Sequence, residues 1–199
     1  MTASMFSRVD GGTVVMIVLA IAIAVYLFIL ERKGKKSKDD PCVTYATLSE
    51  ETIAALDDGE VLRAVAANIT AKQTPQFPDL SRLLPLLSPG RCGVYSVWLV
   101  CHELEKRTVE QYFRSPYRRF APFAAEGFAL IGAEACAAAA EAACDWYERK
   151  KNGDKDLPSA DELTANLRRA IEEEQPLSLC VRYIRDFPAE FVDSQGDVE

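Results

Sequence analysis

The chain has 199 residues, of which 49% are hydrophobic and 27% charged, and its formal net charge is −7. The acidity is uneven: residues 41–199 carry 17 Lys and Arg against 26 Asp and Glu, a balance of −9, whereas residues 1–40 carry 6 against 4. A net acidic domain gains little by displacing counterions from phosphates, which argues against direct nucleic-acid binding.

The first predicted element is a membrane span. Thr13 to Leu30 is an uncharged, apolar run of 18 residues, which as a helix covers roughly 27 Å of a hydrocarbon layer about 30 Å thick. Arg32, Lys33, Lys35, Lys36 and Lys38 follow it, while only Arg8 and the α-amino group precede it. Basic flanks stay on the cytoplasmic side, so residues 1–12 are expected outside as a short extracytoplasmic N-terminus and the C-terminal part in the cytosol. A cleaved signal would need its charge before the apolar core. Residues 31–46 then read as a basic juxtamembrane linker. The predicted location is the cell membrane, single-pass, with a cytoplasmic C-terminal domain.

Residues 47–192 read as one helical domain. Thr47 and Glu50 match a capping box opening a helix to Leu56, and Asp57 or Asp58 can cap a second through Val61, Leu62, Val65 and Ile69. Pro75 and Pro78 mark a loop, after which Leu80 to Leu87 form a short apolar helix stopped at Ser88-Pro89-Gly90. The segment Arg91 to Lys106 is apolar on most sides and is expected to be the central buried helix. Thr108 with Gln111 makes another capping box, and Ser115-Pro116 breaks the short helix that follows. Phe120 to Ile131 is helical by spacing, Gly132 interrupts it, and Ala133 to Lys151 is alanine-rich, with Cys136, Ala140 and Cys144 on one thin packing face. Ser159 and Glu162 open a helix through Leu163, Leu167 and Ile171. The segment 176–192 has strand propensity, but with no second strand to pair it, helix is preferred. Residues 193–199 form an acidic tail, expected to fray. The fold class is all-α, a compact multi-helix domain behind one N-terminal transmembrane helix.

Six cysteines and one histidine, His102, leave little material for a metal site, and no C-x-x-C occurs. On the reducing cytosolic side no disulfide is expected, and the thiols read mostly as core filler. No cofactor or metal is predicted.

Val94-Tyr95-Ser96-Val97-Trp98 through Glu103, then Gln111-Tyr112-Phe113, Ala129-Leu130-Ile131-Gly132-Ala133, and Tyr183 through Phe191, together resemble a bacterial DNA-mimic-protein-like helical domain family of largely unknown function. The resemblance covers roughly residues 50–192. The resemblance implies an all-helical fold and a partner protein associated with nucleic acid, and it implies no enzyme activity. Glu103, Gln111 and Gly132 are the single residues that fit the family pattern. Where that family typically has Asn-Gly-Gly after the glutamate, this chain reads Glu105-Lys106-Arg107-Thr108-Val109-Glu110-Gln111. The Thr108–Gln111 box can make the same helix break without a residue at positive φ.

Candidate sites follow. Cys101 and His102 are neighbours, but adjacent helical residues diverge by about 100° and cannot form a nucleophile and base. Gly127 to Gly132 has phosphate-loop spacing, yet Ala133-Glu134 stands where Lys-Ser/Thr is needed. Glu103 and Gln111 are read as hydrogen-bonding across a helix junction. Lys106, Arg107, Arg114, Arg118 and Arg119 are the partner-binding candidates, suited to an acidic protein or anionic lipid, or else simply a solvated face. Glu172-Glu173-Glu174 and Asp57-Asp58-Glu60 are the acidic runs a DNA mimic could use. The reading is a membrane-anchored, non-catalytic protein–protein interaction module, its partners the lipid bilayer and a protein of unspecified identity. The alternatives are a DNA-mimic regulator that binds a DNA-binding protein, and a membrane-tethered hydrolase.

Overall fold

Polar caps fix where the helices begin. In the computed structural model, which describes residues 40–76 and 78–193, α1 is Pro41–Thr44 and α2 is Glu50–Ala55. The Asp57 side chain accepts from Glu60 N–H at 2.8 Å and starts α3, Asp58–Ala71. Asp79 starts α4, Leu80–Leu83, which tightens into a 3₁₀ turn at Leu84–Leu86. Ser88 caps the central helix α5, Pro89–Lys106, and Thr108 caps α6, Val109–Arg114. A 3₁₀ turn at Pro116–Phe120 leads into α7, Ala121–Leu130, followed by α8, Glu134–Lys151. Ser159 caps α9, Ala160–Glu174; α10 is Pro176–Asp186, and a last 3₁₀ turn covers Pro188–Glu190. Among the described residues every regular element is helical. The segment 176–192, ambiguous by propensity, is helical over Pro176–Asp186 and Pro188–Glu190 and holds no strand. The apolar span Thr13–Leu30, its basic flank and residues 194–199 lie outside the described residues. No helix among the described residues is long and apolar enough to cross a membrane.

α5 is the central helix, with Val94, Val97, Val100, Cys101 and Leu104 all buried. It packs against α3, α7, α9 and α10, while α8 covers α7 and α9. Phe128, Ile184, Ile69 and Phe191 are completely buried around it, each contributing about 1.5–3 kcal/mol of transfer free energy. α5 and α7 approach most closely at two glycines: a Cβ on Gly127 would stand 2.6 Å from Gly93 O and 2.8 Å from Gly93 Cα. Gly132 ends α7 at φ +79, with Ala133 N–H donating to Phe128 O at 2.8 Å and Gly132 N–H to Ala129 O at 3.1 Å. That pattern satisfies two orphan carbonyls and needs a residue at ease in the left-handed region.

Two boundaries differ from the sequence reading, for one reason. Asp193, expected to open a frayed tail, is buried in a polar clasp. Its carboxylate accepts from Leu48 N–H at 2.9 Å and Asn68 Nδ2 at 2.8 Å, and pairs with Lys72 Nζ at 2.6 Å and Arg91 Nη2 at 2.7 Å. Asp193 N–H returns to Leu48 O at 3.0 Å. The clasp holds the chain extended through Leu48, so α2 starts later than Thr47 allows. Ser49 caps it instead, accepting from Thr52 N–H at 3.2 Å. At α9 the Ser159 hydroxyl accepts from Asp161 N–H at 3.2 Å, one residue short of the box expected with Glu162.

Candidate functional site: the α5–α6 junction and the charged faces

The junction between α5 and α6 is built as its sequence implies. Gln111 Oε1 accepts from Thr108 N–H at 3.0 Å and Thr108 Oγ1 accepts from Gln111 N–H at 3.3 Å. Glu103 faces Arg107, whose Nε lies 2.8 Å from Oε2 without the alignment of a hydrogen bond. The junction is also stitched from α9, a feature with no local signal in the sequence. Arg168 donates to Leu104 O and Arg107 O, each at 3.0 Å, satisfying carbonyls at the end of α5. Thr164 Oγ1 accepts from Val109 N–H at 2.9 Å at the start of α6. Gln111 and Gly132 thus sit at helix ends, whereas no hydrogen bond joins Glu103 to Gln111 across the junction as the sequence reading expects: Gln111 is taken by Thr108, and Glu103 faces Arg107.

The five basic candidates sit at this junction and on the following turn. Arg107 lies over the Tyr117 ring at 5.9 Å. Arg114 pairs with Glu110 at 2.8 Å, a carboxylate shared with Lys150. Those two cations and their hydrogen bonds, with the Lys150 bond foremost, hold the Glu110 carboxyl below its ordinary range. Arg119 pairs with Asp79, and Arg118 donates to Ser115 O at 3.4 Å. Lys106 is exposed and makes no ion pair among the described residues. Of the five, Arg107, Arg114 and Arg119 are in ion pairs.

The acidic runs are largely used inside the molecule. Asp57 caps α3, Asp58 pairs with Arg185 at 3.1 Å, and Glu60 pairs with Arg63 at 3.2 Å. Glu174 reaches the uncapped start of α8, accepting from Ala135 N–H at 2.9 Å and Cys136 N–H at 2.8 Å. Burial opposes its ionisation, but those amides hold its carboxyl below the ordinary value. Glu172 and Glu173 stay exposed, and a longer row of outward carboxylates lies on α8. Glu134, Glu141, Asp145 and Glu148 are all exposed on α8, at i, i+7, i+11 and i+14, which places them in one stripe about 60° wide. Asp145 and Glu148 have basic neighbours, Arg149 at 3.8 Å and Lys151 at 3.2 Å. The spacing was available in the sequence and is masked there by the intervening alanines.

Cys101 is buried and His102 exposed, on diverging faces of α5. Burial, then Cys180 and Glu105, push the Cys101 thiol far above its ordinary range, where little thiolate exists. His102 Nδ1 lies 2.9 Å from Trp98 O and its ring 4.8 Å from the Trp98 ring. Among the described residues no group of His, Cys, Asp and Glu side chains is arranged to hold a metal ion.

The described residues form a helical domain on a buried central helix, with polar side chains at helix ends and a row of carboxylates along the exposed side of α8. The chain belongs to the DMP19-like protein family, whose model matches residues 86–187. That is a DNA-mimic family, in agreement with the resemblance in the sequence, and the matched span runs from the start of α5 to the end of α10, narrower than 50–192. No curated protein and no solved structure matches the chain.

Proposed function

We propose that this protein is a membrane-tethered, cytosol-facing member of its family that acts without catalysis, by binding another protein. The observation that carries the reading is the α8 stripe of Glu134, Glu141, Asp145 and Glu148 on a domain of this family. Successive members of the stripe are separated along the axis by roughly 10, 6 and 4.5 Å, a row of negative charge that a basic, DNA-binding surface can engage in place of phosphates. The tether is supported by Thr13–Leu30, and its direction by the five basic residues behind it.

The test is capture of a basic DNA-binding protein by the full chain in nanodiscs. Binding should weaken between 50 and 200 mM salt and be competed by duplex DNA. Capture unaffected by DNA and by reversal of the stripe to lysine would refute the reading. Carbonate extraction of membranes tests the tether separately. A second reading, docking of an acidic protein or anionic lipid on Lys106, Arg107, Arg114, Arg118 and Arg119, is favoured by the exposure of Lys106, Arg114 and Arg118. Glutamate at Arg114, Arg118 and Arg119 should then abolish it.

A further inference from the structure

A cleft of about 590 Å³ lies between α3, α5 and α10, away from the junction and from the α8 stripe. Its volume falls within the roughly 300–1,000 Å³ of small-molecule sites. Leu62, Leu177 and Val181 make an apolar floor, and Trp98 and His102 form one wall. The two rings are tilted by 47° with centroids 4.8 Å apart, and the bond between His102 Nδ1 and Trp98 O, 2.9 Å, fixes the imidazole in that position. Trp98 is only half-buried and His102 is exposed, so a flat apolar group can lie against them.

The charged side chains that line the cleft are one anion, Asp58, and one cation, Arg63. Asp58 is matched by Arg185 at 3.1 Å. The Arg63 side chain on the rim is 63% exposed; its Nη2 pairs with Glu60 at 3.2 Å, and the guanidinium also interacts with the Tyr45 hydroxyl. An exposed i,i+3 pair of this kind is weak, and Glu60 is also taken by the Tyr45 hydroxyl. We propose that this cleft binds an anionic ligand with a flat apolar body, an aryl carboxylate in chemical class, its ring against Trp98 and its carboxylate on Arg63. The α3 wall lies outside residues 86–187, so family membership does not assign the site.

The chain has two tryptophans, so indole N–H resonances in an NMR titration report on two places only. Trp146 donates its Nε1–H to Pro158 O at 3.1 Å and is the internal control. The full chain is titrated with 2-naphthoate, with the neutral 2-naphthalenemethanol, and with a naphthylmethylammonium ion. Naphthoate should move the Trp98 resonance and leave Trp146 unmoved, the alcohol should bind about tenfold more weakly, and Arg63→Gln should weaken naphthoate by about the same factor, as expected for loss of a charge-assisted hydrogen bond. Arg63 is exposed, and an unchanged Trp146 resonance certifies that the variant is folded. Equal binding of acid and alcohol, tighter binding of the cation, parallel shifts of both indoles, or an Arg63→Gln variant indistinguishable from wild type would each overturn the proposal.

Discussion

Replacing Asp193 by asparagine removes the one anion in a clasp that also holds two cations. Arg91 is 5% exposed and its Nη2 donates both to Asp193 and to Phe191 O, at 2.7 Å each. Without the carboxylate its charge stays buried and unmatched, a loss of about 3–5 kcal/mol. Lys72, with a side chain 17% exposed, can turn to water, which places the expected loss near about 3 kcal/mol. For a domain of this size that lowers Tm by about 6–12 °C. The assay is urea unfolding followed by tryptophan fluorescence, with calorimetry for Tm. The pH dependence carries a sign. Burial opposes ionisation of Asp193, but Lys72, the Leu48 amide, Asn68 and Arg91 together hold its carboxyl below the ordinary range. Its contribution is therefore complete above an unfolded value of about 3.9 and is lost as pH falls through the lower folded one. Wild type and Asp193→Asn should differ most at neutral pH and converge in acid. A variant within about 0.5 kcal/mol of wild type at pH 7, or a gap that widens in acid, would refute the reasoning.

Three further substitutions test how the helices are joined. Gly127→Ala places a Cβ against Gly93 backbone at 2.6–2.9 Å, where no side chain can give way, and should cost at least about 1–3 kcal/mol in denaturant unfolding. Gln111→Ala removes half of the Thr108 capping box and should cost about 1 kcal/mol, with hydrogen exchange faster at Thr108 than elsewhere. Glu174→Gln keeps an acceptor but loses the charge at the start of α8; a loss of about 1 kcal/mol near neutral pH is expected, shrinking as pH falls through the lowered value of the folded-state carboxyl.

The helices were legible because their signals are local. Asp57, Thr108 and Ser159 cap the helices they precede, Gly132 ends α7, and the all-round apolar character of Arg91–Lys106 marks the central helix. What could not be read is every contact that joins distant residues. Arg168 with the end of α5, Thr164 with Val109, and Asp193 with Leu48, Asn68, Lys72 and Arg91 span 55 residues or more. A charged residue near a chain end carries no mark saying that it folds back. The same limit explains the acidic runs: Glu172, Glu173 and Glu174 are consecutive, but helical rotation turns Glu174 inward to α8 and leaves the other two exposed. Adjacent charges diverge on a helix, so a run is a poor guide to a charged face, whereas spacings of 3, 4 and 7 are a good one.

The α8 stripe is not uniform, and its two halves should behave differently in partner binding. Asp145 and Glu148 share their field with Arg149 and Lys151, while Glu134 and Glu141 make no ion pair among the described residues. An attached cation already screens part of the attraction a basic partner would feel, and it must be shed or tolerated in the complex. Reversing Glu134 and Glu141 to lysine should therefore weaken capture more than reversing Asp145 and Glu148, and should reduce the slope of binding against log salt by the larger amount. Lys151→Gln, which frees Glu148, should strengthen capture. Isothermal titration at two salt concentrations measures all three. Equal losses from both halves would mean that the basic neighbours do not matter and that total charge, not its arrangement along α8, governs recognition.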